Sequence, residues 1–228
     1  MSRSKPLNII ILGPSGSGKG TQAKLLAKKF NLEHLASGLI LRKIAKENTS
    51  FGRKVNTIIH QQGKFVPYQW IVKLVRKEIK KINKNKGIVF DGFARKLPEI
   101  KELEKLLAKI GREIDYIFVI KITDKEALRR LSIRRCCSKC GHLFILGKTL
   151  KKGEKICPIC GGKIYQRKDD TRLRILSRLR EYKKETLPVI EYLKKKVPRG
   201  TPNRGKIIEI NGEQSVEKVH KDIIRNIK

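Results

Sequence analysis

The stretch LNIIILGPSGSGKGT, residues 7–21, decides the fold. It opens with a run rich in isoleucine and leucine, which predicts a buried strand that stops at Gly13. Apolar residues then recur at helical spacing, so the segment 18–30 is predicted to be a helix. A strand, a glycine-rich turn and a helix in this order open an α/β fold.

The turn in this stretch, residues 13–21, fits the pattern G-x-x-x-x-G-K. Its glycines let the backbone curl so that N–H groups face inward, and the helix N-terminus adds partial positive charge. Lys19 can then reach the β- and γ-phosphates of a nucleotide. Gly20 stands where such loops usually carry a hydroxyl residue, and the hydroxyl follows at Thr21. The pattern predicts a phosphate-binding loop, and the alternative is a glycine-rich turn that binds no ligand.

The rest of the chain alternates short apolar runs with amphipathic segments. Strands are predicted at 87–91, 114–122 and 206–210, and helices at 37–62 (two short ones, broken near Asn48), 68–82, 98–110, 124–134, 171–196 and 215–227. We expect Pro98 to start a helix, Asp124 to cap one, Pro188 to interrupt the long basic one, and 198–205 to form a surface turn. This alternation predicts a mostly parallel sheet covered on both faces, with ligands at the carboxyl ends of the strands.

Composition limits the class of protein. The 228 residues suit one domain with insertions, or one core with a small satellite, and 39% hydrophobic residues can supply a core. Lys and Arg number 55 against 21 Asp and Glu, so the net charge is +34. Such a chain attracts polyanions, namely nucleotides, nucleic acid or anionic membrane surface. The alternative is that the lysines, which are scattered along the chain, cover solvated faces.

Membrane insertion is not expected. The longest apolar runs have strand length, far below the roughly 20 residues that span a bilayer. The first residues, MSRSKP, lack the apolar region of a secretory signal. We therefore expect a cytoplasmic protein with no membrane attachment. We also expect the protein to be a monomer.

The cysteines are clustered, whereas a disulfide framework would spread them along the chain. Cys137 with Cys140, and Cys157 with Cys160, form two C-x-x-C knuckles separated by 16 residues, and each knuckle is followed by glycine. This spacing predicts a tetrahedral zinc site, and four sulfur ligands make such a site structural. The alternative is four unligated, redox-active thiols. Cys136 is either a free thiol or a replacement for Cys137 as ligand.

Together with further motifs, these features resemble the adenylate kinase family, in its variant with a zinc-bearing lid. The Lys-Gly-Thr order of the phosphate loop is the family's own. The matching segments are GPSGSGKGTQ (13–22), ASGLILR (36–42), QGKFV (62–66), DGFAR (91–95), YQRKDD (165–170), RLREY (178–182) and TLP (186–188). They cover essentially the whole chain and keep the family's order.

The resemblance implies a P-loop NTPase-type α/β core made from residues 1–36, 67–133 and 171–228. Residues 37–66 would form a helical insertion that binds the monophosphate. Residues 134–170 would form a zinc-ribbon-like lid that closes over ATP, with one structural zinc ion per chain in place of a larger apolar core.

The implied reaction is reversible phosphoryl transfer from Mg-ATP to AMP, giving two ADP. ATP would be bound by Gly13, Ser15, Gly16, Ser17, Gly18, Lys19, Gly20, Thr21, Arg130 and Arg134. AMP would be bound by Ser37, Gly38, Arg42, Lys64, Val66, Gly92, Arg95, Glu99, Arg167 and Arg178. The catalytic groups would be Lys19, Arg95, Arg134, Arg167 and Arg178, with Asp91 holding Mg²⁺ through water and Asp169 and Asp170 orienting lid arginines. Arg130 would stack on the ATP adenine, with Arg129 as the alternative.

Three positions differ from the family pattern. Leu39 replaces an acidic residue, and Ala94 replaces the proline of D-G-F-P-R. Glu99 stands where adenylate kinases carry a glutamine that contacts the acceptor adenine. A carboxylate can accept a hydrogen bond from an exocyclic amino group, which adenine and cytosine share. AMP is therefore the first choice of acceptor, CMP is the alternative, and UMP should be the poorest.

A different class of function is a nucleic-acid-associated protein that uses a P-loop fold as a switch. The charge of +34 and the pair of knuckles motivate it, since basic surfaces bind phosphates without sequence specificity. Aromatic residues make up only 6% and form no cluster for base stacking, which argues against it. Nonspecific association with nucleic acid is compatible with kinase activity.

Overall fold

The computed structural model describes residues 5–196 and 205–227. The strands are β1 (Asn8–Leu12), β2 (Glu33–Ala36), β3 (Ile88–Asp91), β4 (Tyr116–Lys121), β5 (Arg134–Cys137), β6 (Leu143–Ile145), β7 (Ile164–Tyr165) and β8 (Lys206–Asn211). The α-helices are α1 (Lys19–Lys29), α2 (Ser37–Ile44), α3 (Ser50–Asn56), α4 (Tyr68–Ile79), α5 (Leu97–Ala108), α6 (Asp124–Ser132), α7 (Arg172–Glu181), α8 (Leu187–Lys196) and α9 (Val216–Arg225). Two π-helical turns, Thr57–Gln62 and Tyr182–Thr186, continue α3 and α7.

The main sheet is five-stranded and parallel, in the order β2-β3-β1-β4-β8. Strand β1 lies at its centre, where Ile10 pairs in register with Phe90 on one side and Ile117 on the other. Every residue of β1 is buried, as the continuous apolar run predicts for a strand covered on both faces.

The two faces of this sheet carry separate apolar cores. Ile10 and Leu12 belong to a cluster that includes residues of α4, α5 and α8. Ile9 and Ile11 point to the opposite face and pack in a second cluster with residues of α1 and α9. Successive side chains of a strand alternate between faces, so the short run of β1 supports both cores. The predicted fold class, a parallel sheet with helices on both faces, is confirmed.

Residues 134–170, called here the cysteine segment, contain a separate antiparallel sheet in the order β6-β5-β7. Its core is small: Phe144 and Leu150 are buried together with Cys137 and Cys157. The segment lies in the chain between α6 and α7, whose buried apolar residues pack against each other. Residues 37–66, called here the helical segment, hold α2, α3 and the first π-helical turn.

Some local predictions were wrong. Strand β2 was not predicted, because only its last two residues are buried and its pairing with β3 supplies its order. The cap of α6 is Thr123, whose side chain accepts from the Glu126 N–H, and Asp124 is already helical. The interruption predicted near Pro188 is present, because the π-helical turn Tyr182–Thr186 separates the two α-helical parts of the basic helix just before it. The turn predicted at 198–205 lies, apart from Gly205, outside the described residues.

Within the described ranges, no helix is long and apolar enough to cross a membrane.

Candidate active site

The phosphate loop joins β1 to α1 at the carboxyl edge of the main sheet. Gly13, Gly16 and Gly18 have φ values of 143°, 87° and 92°, a region that other residues rarely adopt. Gly18 precedes α1 without a side-chain cap, and the first turn of α1 carries no acidic residue. The N–H groups of that turn are therefore available to an anion, as the sequence predicts.

Lys19, the first residue of α1, folds back over the loop. Its Nζ donates to the Pro14 carbonyl oxygen at 2.6 Å and lies 3.4 Å from Ser17 Oγ. Burial, with a further contribution from Arg95, lowers the pKa of Lys19 to about 7, although Asp91 opposes the change. The surroundings of Lys19 therefore contain too little negative charge to keep its ammonium group fully protonated.

Asp91, at the end of β3, stands beside the start of α1. A Cβ atom at Gly20 would lie 3.1 Å from Asp91 Oδ2, so glycine at this position lets the carboxylate approach the phosphate loop. His34 Nε2 lies 3.4 Å from the same oxygen. Burial raises the pKa of Asp91, but the contacts with His34 and Lys19 outweigh it and the pKa falls below its usual value. An ionised carboxylate here can hold a hydrated divalent cation.

Arg95 lies in the loop after β3 and faces the phosphate loop. Its Nε donates to the Gly92 carbonyl oxygen at 2.8 Å, and its guanidinium lies 4.9 Å from the centre of the Phe65 ring. Ser37 Oγ donates to the same carbonyl oxygen at 2.6 Å. Burial lowers the pKa of Arg95. Lys19, Arg95 and Phe65 line one narrow cavity together with Gly13 and Arg178.

Two consecutive aspartates at the end of the cysteine segment hold two arginines. Arg134 donates from Nε and a terminal nitrogen to the two oxygens of Asp170, at 2.8 and 2.6 Å. Arg178 on α7 donates to Asp170 Oδ1 at 2.9 Å and to Asp169 Oδ2 at 3.0 Å. Burial, followed by repulsion from Arg167, lowers the pKa of Arg134. This network ties the cysteine segment to α7.

A second cationic group lies on the side of the helical segment. A Cβ atom at Gly38 would lie 3.1 Å from a terminal nitrogen of Arg42, so glycine makes room for that guanidinium. Burial and then the nearby Arg167 lower the pKa of Arg42 to about 10. Arg167 Nε in turn donates to Cys136 Sγ at 3.1 Å. Cys136 is therefore engaged by an arginine, and Cys137 is the cysteine that joins the other three.

Arg129 and Arg130 both bind Glu126, but they differ in the number of their partners and in their exposure to solvent. Arg130 donates to Glu126 at 2.6 Å and to the Gly212 carbonyl oxygen at 2.7 Å, and its side chain is 22% exposed. Arg129 contacts only Glu126 among these groups, and its side chain is 51% exposed. Of the two, Arg130 is the one held by two partners, and its helix α6 packs against Gly16 of the phosphate loop through Ala127 and Leu131.

The remaining predicted residues are not all brought to the site. Glu99 is buried on α5 and accepts from the Arg95 N–H at 2.8 Å; its burial raises its pKa. Val66 is buried in the larger core, whereas Lys64 is exposed. Ala94 has a φ of 58°, a conformation that the ring of proline forbids.

The four knuckle cysteines converge as predicted. Their sulfur atoms all lie within 4.8 Å of one another, with Cys137 to Cys160 at 3.4 Å and Cys140 to Cys157 at 3.8 Å. A tetrahedral ion with metal–sulfur distances of about 2.3 Å puts neighbouring sulfurs about 3.8 Å apart. The donor set and its spacing therefore fit a metal ion of the size of zinc. The glycine after each knuckle has a positive φ, as the predicted tight turns require.

Several contributors to the site were missed in the sequence. His34 lies within β2, a strand that was not predicted, and nothing in the sequence pairs it with Asp91. Phe65 lies inside a recognised motif, but its contact with Arg95 depends on the fold. Glu126 and Gly212 hold Arg130 from positions that carry no motif of their own.

The adenylate kinase family model matches residues 11–197. The chain is 35% identical to an adenylate kinase of Methanocella arvoryzae over 217 residues, which covers 95% of this chain and 96% of that protein. It is 37% identical to an adenylate kinase of Fervidobacterium nodosum, over 97% of both chains. It is 32% identical to an adenylate kinase of Thermosipho africanus, over 97% of this chain and all of that one.

Proposed function

Because this chain belongs to the adenylate kinase family, and is thereby a nucleoside monophosphate kinase, we propose that it transfers the γ-phosphoryl group of Mg-ATP to AMP. The reaction is reversible and gives two molecules of ADP. The acceptor phosphate supplies the attacking oxygen, the bond from the γ-phosphorus to its bridging oxygen breaks, and the second ADP leaves with that oxygen.

One observation carries this proposal. Lys19 and Arg95 line one narrow cavity together with Arg178, and Arg134 shares the carboxylate of Asp170 with Arg178. Loss of solvent is the main cause that lowers the pKa of Lys19, Arg95 and Arg134, and neighbouring arginines lower each of the three further. With Arg42, Arg167 and Arg178 the site holds six basic side chains, and Asp91, Asp169 and Asp170 offset only part of their charge. A polyphosphate would supply the missing negative charge, because phosphate oxygens match the planar donors of arginine. Such a site stabilises charge on a phosphoryl group in transfer without needing a protein nucleophile.

The roles then divide by position. The phosphate loop and Lys19 would hold the ATP phosphates, and Arg42 and Arg95 would hold the acceptor phosphate. Arg134, Arg167 and Arg178 would clamp the phosphoryl group in transfer, and their carboxylate partners would keep them in place. Arg130 would lie against the ATP adenine, and Lys64, which is exposed, has the weakest structural support.

Magnesium would be held beside the loop by Asp91 through water, where it would neutralise charge on the β- and γ-phosphates. The cysteine segment would act as a lid over ATP, stapled by a structural zinc ion on Cys137, Cys140, Cys157 and Cys160. The helical segment would close over the acceptor. Closure would exclude water, so that the phosphoryl group reaches the acceptor and is not hydrolysed. A reduced thiol cluster suits a reducing compartment, which supports a cytoplasmic location.

CMP is the second candidate acceptor, and Glu99 is the reason. The Glu99 carboxylate contacts the backbone of Arg95, next to the proposed site of the acceptor phosphate. It can accept from the amino group of adenine or cytosine, whereas uracil offers no such group.

The test is a comparison of acceptors. The zinc-loaded protein is mixed with Mg-ATP and one of AMP, CMP, UMP or GMP, and diphosphate formation is measured. AMP should give the highest kcat/KM, CMP should be next and UMP the lowest. Absence of transfer to every acceptor, with tight RNA binding at physiological salt, would refute the kinase and favour the nucleic-acid function suggested by the charge of +34.

A further inference from the structure

Three buried side-chain atoms among the described residues have no hydrogen-bond partner: His60 Nδ1, Asp169 Oδ1 and Arg178 Nε. They lie on three different parts of the chain. His60 is in the π-helical turn that ends the helical segment, Asp169 ends the cysteine segment, and Arg178 is on α7. Buried polar atoms are nearly always paired, so three unpaired ones where these parts meet require an explanation.

His60 and Asp169 face each other directly. His60 Nδ1 lies 3.9 Å from Asp169 Oδ1, and the two side chains are 19% and 10% exposed. This separation is too long for a hydrogen bond, but a shift of about 1 Å would make one. The other oxygen of Asp169 already accepts from Arg178 at 3.0 Å. One small movement would therefore complete a chain from His60 through Asp169 to Arg178.

We propose that His60 is a positioning residue, which donates its Nδ1–H to Asp169 Oδ1 when the site closes around both nucleotides. The bond links the helical segment to the carboxylate that holds Arg178. The inference rests on the proposed function, because closure around a donor and an acceptor is what brings the two segments together.

The surroundings favour a neutral imidazole in this role. The charged groups that face His60 are Asp169, Arg42, Lys168 and Arg174. Burial lowers the pKa of His60, and the three cations add to this effect while Asp169 opposes it. A neutral imidazole carries one N–H, and the form with the proton on Nδ1 suits the carboxylate. Ser177 Oγ also donates to the Gln62 carbonyl oxygen at 3.2 Å, so α7 already touches the same turn.

The expected consequence is coupling between the two nucleotide sites. A donor nucleotide that closes the cysteine segment brings Asp169 to His60, and this holds the helical segment in its acceptor-binding position. A bond of this kind contributes a factor of about five to ten to the closed state. Loss of the bond should therefore change how strongly binding of one nucleotide promotes binding of the other, since His60 is not proposed to touch the reacting atoms.

Three variants separate the hydrogen bond from simple packing. His60→Leu removes the donor and replaces the imidazole by an apolar side chain of similar size. His60→Asn keeps an N–H on the atom attached to Cγ, as Nδ1 is, whereas His60→Gln places its amide one bond further out. For each, the Kd of AMP is measured alone and in the presence of a saturating non-hydrolysable ATP analogue, and the ratio of the two values is the coupling factor.

We expect His60→Leu and His60→Gln to lower the coupling factor about five- to tenfold, with the Kd of AMP alone changed less than twofold. His60→Asn should keep most of the coupling. An unchanged coupling factor in His60→Leu would overturn the proposal, and so would an equal loss in the Asn and Leu variants. Coupled binding in a wild-type protein that makes no ADP would refute the proposed function and leave the role of His60 standing.

Discussion

Asp170→Asn tests the network that joins the cysteine segment to α7. The side chain of Asp170 is fully buried and accepts three hydrogen bonds, two from Arg134 and one from Arg178. Removing one partner of a buried ion pair costs about 3–5 kcal/mol, and the asparagine oxygen retains about 1 kcal/mol of hydrogen bonding. The free energy of unfolding should therefore fall by about 2–4 kcal/mol. At about 2–4 °C per kcal/mol for a chain of this size, Tm should fall by roughly 4–16 °C.

The matched control is Asp124→Asn. Asp124 pairs with Lys183 at 2.6 Å, but these side chains are 45% and 57% exposed, so the change should cost less than about 1 kcal/mol. Urea unfolding of both variants and the wild type, with and without saturating Mg-ATP, measures the difference. Bound nucleotide should recover part of the loss in Asp170→Asn, because its phosphates can pair the two arginines. Equal stability of the two variants without nucleotide would refute the reasoning.

Three further predictions concern a proton, a metal and a base. In the free protein the pKa of Lys19 is lowered to about 7, so at about pH 8 its amine is mostly neutral. Bound phosphates favour the charged form, and ATP binding at this pH should therefore be accompanied by uptake of a proton at Lys19. Titration calorimetry in buffers of different ionisation enthalpy measures the proton uptake. The uptake should vanish well below pH 7 and in the Lys19→Met variant, and proton uptake by that variant would contradict the prediction. Cys140→Ser should lower the bound metal from about one ion per chain and increase hydrogen exchange of the cysteine segment, while the main sheet stays protected. Metal retained at the wild-type level with unchanged exchange would argue against a structural site. Glu99→Gln should raise kcat/KM for AMP, because an amide can also donate to a ring nitrogen, and should raise Tm, because burial opposes the charged carboxylate. Steady-state kinetics and thermal unfolding check this, and a fall in both quantities would contradict it.

The parts of the fold that are predictable from the sequence are those fixed by local chemistry. The apolar run of β1 and the glycines after it specify a strand, a turn and a helix without help from the rest of the chain. The C-x-x-C knuckles are similar, because each turn and its two sulfurs lie within a few residues. By contrast, β2 becomes a strand through its pairing with β3. The choice between Thr123 and Asp124 as the cap depends on which residue keeps an extended backbone.

The candidate site also has a part that the sequence predicts and a part that depends on the folded chain. Motif position predicts Lys19, Arg95 and Arg134 as site residues, but it cannot give their partners. Arg134 and Asp170 are 36 residues apart and meet only when the cysteine segment is folded. His60 carries no signal in the sequence, because it belongs to none of the recognised motifs and histidine is neither a typical core residue nor a typical surface residue. Its importance arises from the burial of Nδ1 opposite Asp169.

The most direct test of the central claim is the stoichiometry of the reaction with AMP. Zinc-loaded protein is incubated with Mg-ATP and AMP, and ATP, ADP, AMP and inorganic phosphate are measured together over time. Phosphoryl transfer predicts two ADP formed for each AMP consumed, no inorganic phosphate, and the same equilibrium mixture when the reaction starts from ADP. Conversion of ATP to ADP and phosphate with AMP unchanged, or no turnover of AMP at all, would contradict the assignment.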